Sequence, residues 1–185
     1  MDTSALSPLR SDQASLLVVD LQERLVPAMH NTDVVAAAAR MIKAADFLKL
    51  PILVTEQYPT GLGKTVPELR SVLPGGVSAV AKMQFSAFAP EIKSQMEQSA
   101  RKSVVVVGIE AHVCVQQTVL DLLRAGFQVY VCGDAITSRK PTDTELAIAR
   151  MRQAGAIVTS TESVIFEMVQ EAGTDLFKQI LKVVK

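Results

Sequence analysis

The sequence predicts an α/β chain: a three-layer α/β/α sandwich around a mostly parallel six-stranded sheet. Three observations predict it. Short β-branched apolar runs alternate with amphipathic helical stretches along the chain. Several of those runs are apolar at nearly every position, as in strands covered on both faces. Glycine or proline stands at most of the changeovers, where helices stop and strands begin.

The elements follow in order. Strand readings fall at residues 15–20 (SLLVVD), 51–55 (PILVT), 77–81 (VSAVA), 103–108 (SVVVVG), 128–132 (QVYVC) and 156–159 (AIVT). Helical periodicity occupies residues 33–48, 90–99, 112–125 and 142–153, and residues 161–185 hold one or two helices more. Asn31, Thr32 or Asp33 is placed to cap the first helix, and Thr142 to cap the helix after Pro141. Gly126 and Gly155 stand where a left-handed residue ends a helix. Strand, helix and strand repeated this way read as β/α crossovers within one domain spanning 1–185.

Composition narrows the function. Nineteen basic and nineteen acidic side chains leave no net charge, so no global field attracts nucleic acid or anionic lipid. Aromatic residues are 4% with no Trp, which disfavours stacking platforms for single strands. Cys114 and Cys132 are too few for a disulfide scaffold and suit a reducing compartment. The first fourteen residues carry Asp2, Asp12 and a lone Arg10 without an apolar centre, unlike a signal or transit peptide. No apolar run reaches the ~20 residues that cross a bilayer. The expectation is a soluble cytoplasmic protein with a small-molecule substrate, no nucleic acid and no membrane partner.

Active sites of open α/β sheets lie beyond the carboxyl ends of the strands. Three reactive groups emerge there: Asp20 at the first strand, Lys82 after the third, and Cys114 in the first turn after the fourth. Singly, each has an ordinary reading as a turn carboxylate, a solvated ammonium or a buried small hydrophobe. Together they suit nucleophilic catalysis. A free thiol is only about 3% thiolate at pH 7 and needs activation. The helix N-terminus and Lys82 are expected to lower the thiol pKa, with Asp20 as general base and Lys82 orienting it. Backbone N–H groups at the turn would meet the oxyanion.

Around these residues, VVDLQ (18–22), KMQFSAF (82–88) and GIEAHVCVQQTVLDLL (108–123) resemble motifs of the isochorismatase-like cysteine hydrolase superfamily. With GIEAHVC, TEQYPTGLG (55–63) is similar to its isochorismatase-domain-containing subgroup. The resemblance implies Asp20 as base, Lys82 as the family lysine and Cys114 as nucleophile. It also implies a non-proline cis peptide at Ile109–Glu110, aiming the N–H groups of Glu110 and Cys114 at the oxyanion. Gln22, Tyr58, Leu62, Phe85 and His112 are the candidate substrate-binding residues.

Family members acting on nicotinamide hold a metal through an Asp and several histidines after the second strand. Here TEQYPTGLGKT has no His, and the chain has only His30 and His112. No metal and no cofactor are therefore expected. Members that cleave the isochorismate vinyl ether lack the cysteine, so Cys114 points to a small amide or related C–N substrate and a thioester intermediate. The family commonly forms dimers or tetramers, and Val164, Ile165, Met168, Leu176 and Ile180 offer apolar surface in the tail. The alternatives are a catalytically silent regulatory protein of the same fold and a ribonuclease, a label attached to relatives in the subgroup.

Other features are weighed against this reading. GKT at 63–65 is not a phosphate loop, because the required first Gly is Tyr58. Residues 57–65 read instead as a mobile flap over the pocket. His112, two residues from Cys114, does not face it on a helix and reads as pocket wall or interface. Glu110 is open between a substrate cation and an Arg partner. Asp134 is expected to organise its own loop, through nearby backbone or Ser138. Cys132 reads as packing, with a Cys114–Cys132 disulfide as the alternative on oxidation. Phe85 and Phe88 line either the pocket or the core.

Overall fold

The structure is a computed structural model describing residues 8–185. The reading of the leading segment as neither signal nor transit peptide falls partly on residues 1–7, outside the described residues. Six strands form one sheet: β1 (Ala14–Val19), β2 (Ile52–Gln57), β3 (Ala79–Lys82), β4 (Ser103–Ile109), β5 (Gln128–Thr137) and β6 (Ile157–Thr159). Their order is β3-β2-β1-β4-β5-β6, and every pair is parallel. The α/β sandwich is as expected, and its sheet is wholly parallel.

Side-chain alternation along these strands builds two cores. Leu16, Val18, Val105, Val107 and Tyr130 face one cluster, while Leu17, Val19, Val104, Val106 and Val129 face the other. The first face is covered by α1 (Val34–Phe47), α7 (Thr161–Val169) and α8 (Asp175–Val184). The second is covered by α4 (Pro90–Ser99), α5 (Gln116–Arg124) and α6 (Pro141–Gln153). Short helices α2 (Pro59–Leu62) and α3 (Pro67–Arg70) lie between β2 and β3. Full burial of each Leu or Val contributes roughly 1.5–3 kcal/mol, which explains the unbroken apolar runs of β1 and β4.

Several local expectations are corrected. Asp33 stands at the N-cap of α1 but makes no side-chain cap; its N–H instead donates to Asn31 Oδ1 at 2.9 Å. α6 starts at Pro141, whose ring presets the first helical residue, so Thr142 lies inside the helix and Lys140 precedes it. Gly126 (φ 85°) and Gly155 (φ 107°) do take left-handed conformations. β5 runs five residues beyond the expected end. Its pairing with β4 shifts from Val106↔Val131 to Gly108↔Ile136, a bulge that leaves Asp134 exposed.

The tail forms two helices, but its apolar face is not free for self-association. Val164, Ile165, Met168 and Ile180 are buried in the first core, with Leu176 packed against them. Cys114 belongs to the second core and Cys132 to the first, so the two thiols lie on opposite sides of the sheet and both are free. This opposes a disulfide between them. Among the described residues, no helix is long and apolar enough to cross a membrane.

Candidate active site

The chain winds outward in both directions from β1 and β4, so the crevice of this sheet opens at their carboxyl ends. Asp20 follows β1 with φ 51°, a left-handed turn that short polar side chains tolerate. Beside it, Gly108 has φ 134°, and a Cβ there would stand 2.1 Å from the Val19 carbonyl oxygen. Only glycine lets β4 approach β1 this closely. After Ile109 comes a cis peptide bond to Glu110, then a π-helical turn, Ala111–Val115, that carries Cys114. Lys82 ends β3.

These residues converge. Lys82 Nζ donates to Asp20 Oδ2 at 2.6 Å, and both side chains are wholly buried. Thr55 Oγ1 donates to Asp20 Oδ1 at 2.8 Å, and the charge of this carboxylate acts on the Cys114 thiol. Lys82 spends its other hydrogens on Gln57 Oε1 (2.7 Å), the Phe85 carbonyl (2.9 Å) and the Gln84 carbonyl (3.3 Å). Cys114, at 6% exposure, is the outermost of the three, with Lys82 at 4% and Asp20 at 0%.

Burial raises the Asp20 carboxyl above its ordinary range, opposed chiefly by the Lys82 charge. The Cys114 thiol is pushed up to about 12, first by burial and then by the Asp20 charge, against the pull of Lys82. The expectation of a lowered thiol pKa is therefore corrected. A sheet-covered sulfur beside a carboxylate loses more from desolvation than Lys82 returns.

The candidate binding residues separate. Gln22 is fully buried and its amide is consumed internally: Nε2 donates to the Gln57 and Gly63 carbonyls, and Oε1 accepts from Gln57 N–H. It is a clamp between loops and leaves no group for substrate. The expected flap is fastened at both ends by Gln22, with Arg24 Nη1 on the Gly61 carbonyl and Glu56 accepting from Thr65. This anchoring opposes free mobility. Tyr58 and Phe85 are about half exposed at the rim, and Leu62 is partly buried.

His112 Nδ1 contacts Ser138 Oγ at 2.9 Å; His30 Nδ1 lies 2.9 Å from the carbonyl of the same serine. Glu110 pairs with Arg139 at 2.8 Å, which answers the question left open for it. Asp134 does not organise its own loop or meet Ser138. Its carboxylate accepts from Thr161 N–H and Oγ1, because the bulge points it at the start of α7. Phe88 stacks edge-on against Phe127 and is core packing.

Three contributors escape a reading based on strand ends. Thr55 and Gln57 alternate on β2, two residues apart, so both can point at Asp20 and Lys82; that T-x-Q spacing was the available signal. Thr118, one turn after Cys114, donates to the Cys114 carbonyl at 2.6 Å and accepts from Ala87 N–H at 2.7 Å. It joins the turn that carries Cys114 to the loop after Lys82. A cavity of about 360 Å³ shares Lys82 with this site and is walled by Pro59, Val80, Met83, Gln84 and Pro90, but Asp20 and Cys114 are not among its walls. Among the described residues, no three His, Cys, Asp or Glu side chains are grouped to hold a metal ion.

The isochorismatase domain model matches residues 14–163. This chain belongs to the isochorismatase-domain family. Isochorismatase domain-containing protein 2A of Mus musculus is 41% identical over 184 residues, 98% of this chain and 87% of that protein. Among solved structures, the MAR1 ribonuclease of Caenorhabditis elegans superposes with a TM-score of 0.93 at 38% identity, covering 96% of this chain and 92% of that one. YcaC of Pseudomonas aeruginosa, described with covalent acrylamide, gives 0.88 at 26% identity over 96% and 91% of the two chains. The isochorismatase-domain family is generally one of hydrolases, and the sheet order and layers here are its fold.

Proposed function

We propose that this chain is a cysteine hydrolase that cleaves a small amide or related C–N substrate through a Cys114 thioester. The observation that carries it is the Asp20 carboxylate, held by Lys82 at 2.6 Å, with its charge acting on the buried Cys114 thiol. A thiol raised to about 12 rests protonated, so its proton moves to Asp20 as the sulfur attacks the carbonyl carbon. The carbonyl π electrons pass to oxygen, which the N–H groups of Glu110 and Cys114 meet. Collapse breaks the C–N bond, and Asp20 returns the proton to the departing nitrogen. Water then attacks the thioester while giving a proton to Asp20. The C–S bond breaks, the acid leaves, and the thiol recovers that proton. The raised Asp20 carboxyl helps, since a base of very low pKa would be a poor acceptor.

Lys82 touches the reacting system only through Asp20, since its hydrogens are all engaged. Tyr58 and Phe85 supply an apolar rim for substrate, with Leu62 and His112 beside them. The reading invokes no metal ion or cofactor and treats 1–185 as one domain in a reducing cytoplasm. Self-association as a homodimer or homotetramer belongs to the same reading. Its apolar surface would be Met83 and Phe85 at the rim or Leu146 on α6, each more than half exposed. A single-copy mass in light scattering contradicts that part.

The decisive assay is release of ammonia or amine from a panel of small amides, with Cys114→Ser and Asp20→Asn beside the parent. Turnover that disappears in both variants supports the proposal. Turnover unchanged in Cys114→Ser refutes it. The ribonuclease names of three structural neighbours raise a second reading; salt-independent cleavage of RNA by the parent, lost in Asp20→Asn, would favour it instead.

A further inference from the structure

We propose that Gln57 is a positioning residue that fixes the Lys82 ammonium on Asp20, and that Gln22 holds Gln57 in place to do so. The inference rests on the reading of Asp20, Lys82 and Cys114 as the working site. A lysine ammonium is a compact charge on a flexible stem with three donors and no acceptor. It serves as a fixed counterion only where its acceptors are themselves fixed. Here they are Asp20 Oδ2, Gln57 Oε1 and the carbonyls of Phe85 and Gln84. Gln57 is the one among them whose side chain has no charge and whose loss leaves the main chain intact.

Hydrogen-bond complementarity decides the orientation of its amide. Gln57 Nε2 donates at 2.8 Å to the Met83 carbonyl, which can only accept, so Oε1 faces the ammonium, which can only donate. The main chain of Gln57 is gripped from the other side. Its N–H donates to Gln22 Oε1 at 2.7 Å, and its carbonyl accepts from Gln22 Nε2 at 2.9 Å. The same Nε2 donates to the Gly63 carbonyl at 2.7 Å, which pins Gln22. Gln22 is 0% exposed and Gln57 8%, so water does not compete for these bonds. The two glutamines therefore form a continuous polar clamp from the β2 exit loop to Lys82, Asp20 and Cys114.

Gln57→Glu separates positioning from mere packing. The neutral acid reproduces both bonds, its carbonyl toward Lys82 and its O–H toward the Met83 carbonyl. Once ionised, it sets an oxygen against the Met83 carbonyl and adds a second carboxylate competing for the ammonium. The test uses lysine-¹⁵N-labelled protein, with the Lys82 resonance assigned by its loss in Lys82→Met. Water exchange of that ammonium is measured beside the rate of acrylamide addition to Cys114. In Gln57→Leu, both readouts are expected to change by about tenfold, faster exchange and slower addition, with the far-ultraviolet spectrum unchanged. In Gln57→Glu the rate of acrylamide addition is expected to follow the parent near pH 5 and to approach that of Gln57→Leu near pH 8.

Ammonium exchange unchanged in Gln57→Leu overturns the proposal. If Gln57→Leu fails to fold, a Gln57→Glu profile parallel to the parent overturns it equally. The exchange readout does not need a reactive thiol. Exchange that accelerates while Cys114 of the parent takes no acrylamide preserves the clamp and removes the hydrolase reading instead.

Discussion

Lys82→Met removes the cation from a carboxylate that has no access to water. The Lys82 and Asp20 side chains are both fully buried at a separation of 2.6 Å. Taking one partner from such a pair costs about 3–5 kcal/mol, because the remaining charge is neither hydrated nor compensated. Met roughly keeps the volume of the stem, so the loss is electrostatic and not a cavity. Asp20 escapes part of it by taking a proton. Burial already raises its carboxyl, and without Lys82 the pKa rises further. An acid whose folded pKa lies above its unfolded value binds more protons when folded. Its stabilisation is complete at low pH and is lost as pH rises through the folded pKa. Urea unfolding at fixed protein concentration should therefore show the full loss near pH 8 and a smaller one near pH 5. Asp20→Asn combined with Lys82→Met should lose less than the sum of the singles. An equal loss at both pH values, with singles additive to within about 0.5 kcal/mol, would refute the buried-pair reasoning.

Cys114, raised to about 12, should show no thiolate absorbance in the folded protein up to about pH 10, and Asp20→Asn should move its titration downward. Because the folded thiol lies above the unfolded one, the stability it contributes is present below about pH 9 and declines toward pH 12, as unfolding at stepped alkaline pH would record. Gly108→Ala drives a Cβ to 2.1 Å from the Val19 carbonyl oxygen, and should cost more than about 4 kcal/mol or yield no folded protein, read by urea midpoint and soluble yield. Thr118→Val keeps the shape but strands the Ala87 N–H, and should cost about 1–3 kcal/mol with faster exchange of the Ala87 amide.

The sheet was legible because parallel strands buried on both faces leave continuous apolar runs, and β1 and β4 show them most fully. Asp20, Lys82 and Cys114 were legible because strand ends in such a sheet share one rim. What was missed depended on contacts between elements. Gln22 looks like a site residue by adjacency to Asp20, yet its amide is consumed by Gln57 and Gly63 across the sheet. Gln57 and Thr118 lie inside the quoted motifs but bear no reactive group; they matter through Lys82 and Ala87, which only folding brings near. The direction of the thiol shift was misread because the pattern shows a helix start and a nearby cation, but not how dry the sulfur is. The long β5 was cut short because the bulge places Gly133 and Asp134 mid-strand, where a turn is the ordinary inference.

The most direct test is intact-protein mass spectrometry after exposure to acrylamide and a panel of small amides, comparing the parent with Cys114→Ser and Asp20→Asn. The account predicts one adduct on the parent, mapped to Cys114, absent in Cys114→Ser and strongly slowed in Asp20→Asn. An adduct that forms equally fast without the Asp20 carboxylate, or that maps to Cys132, contradicts it.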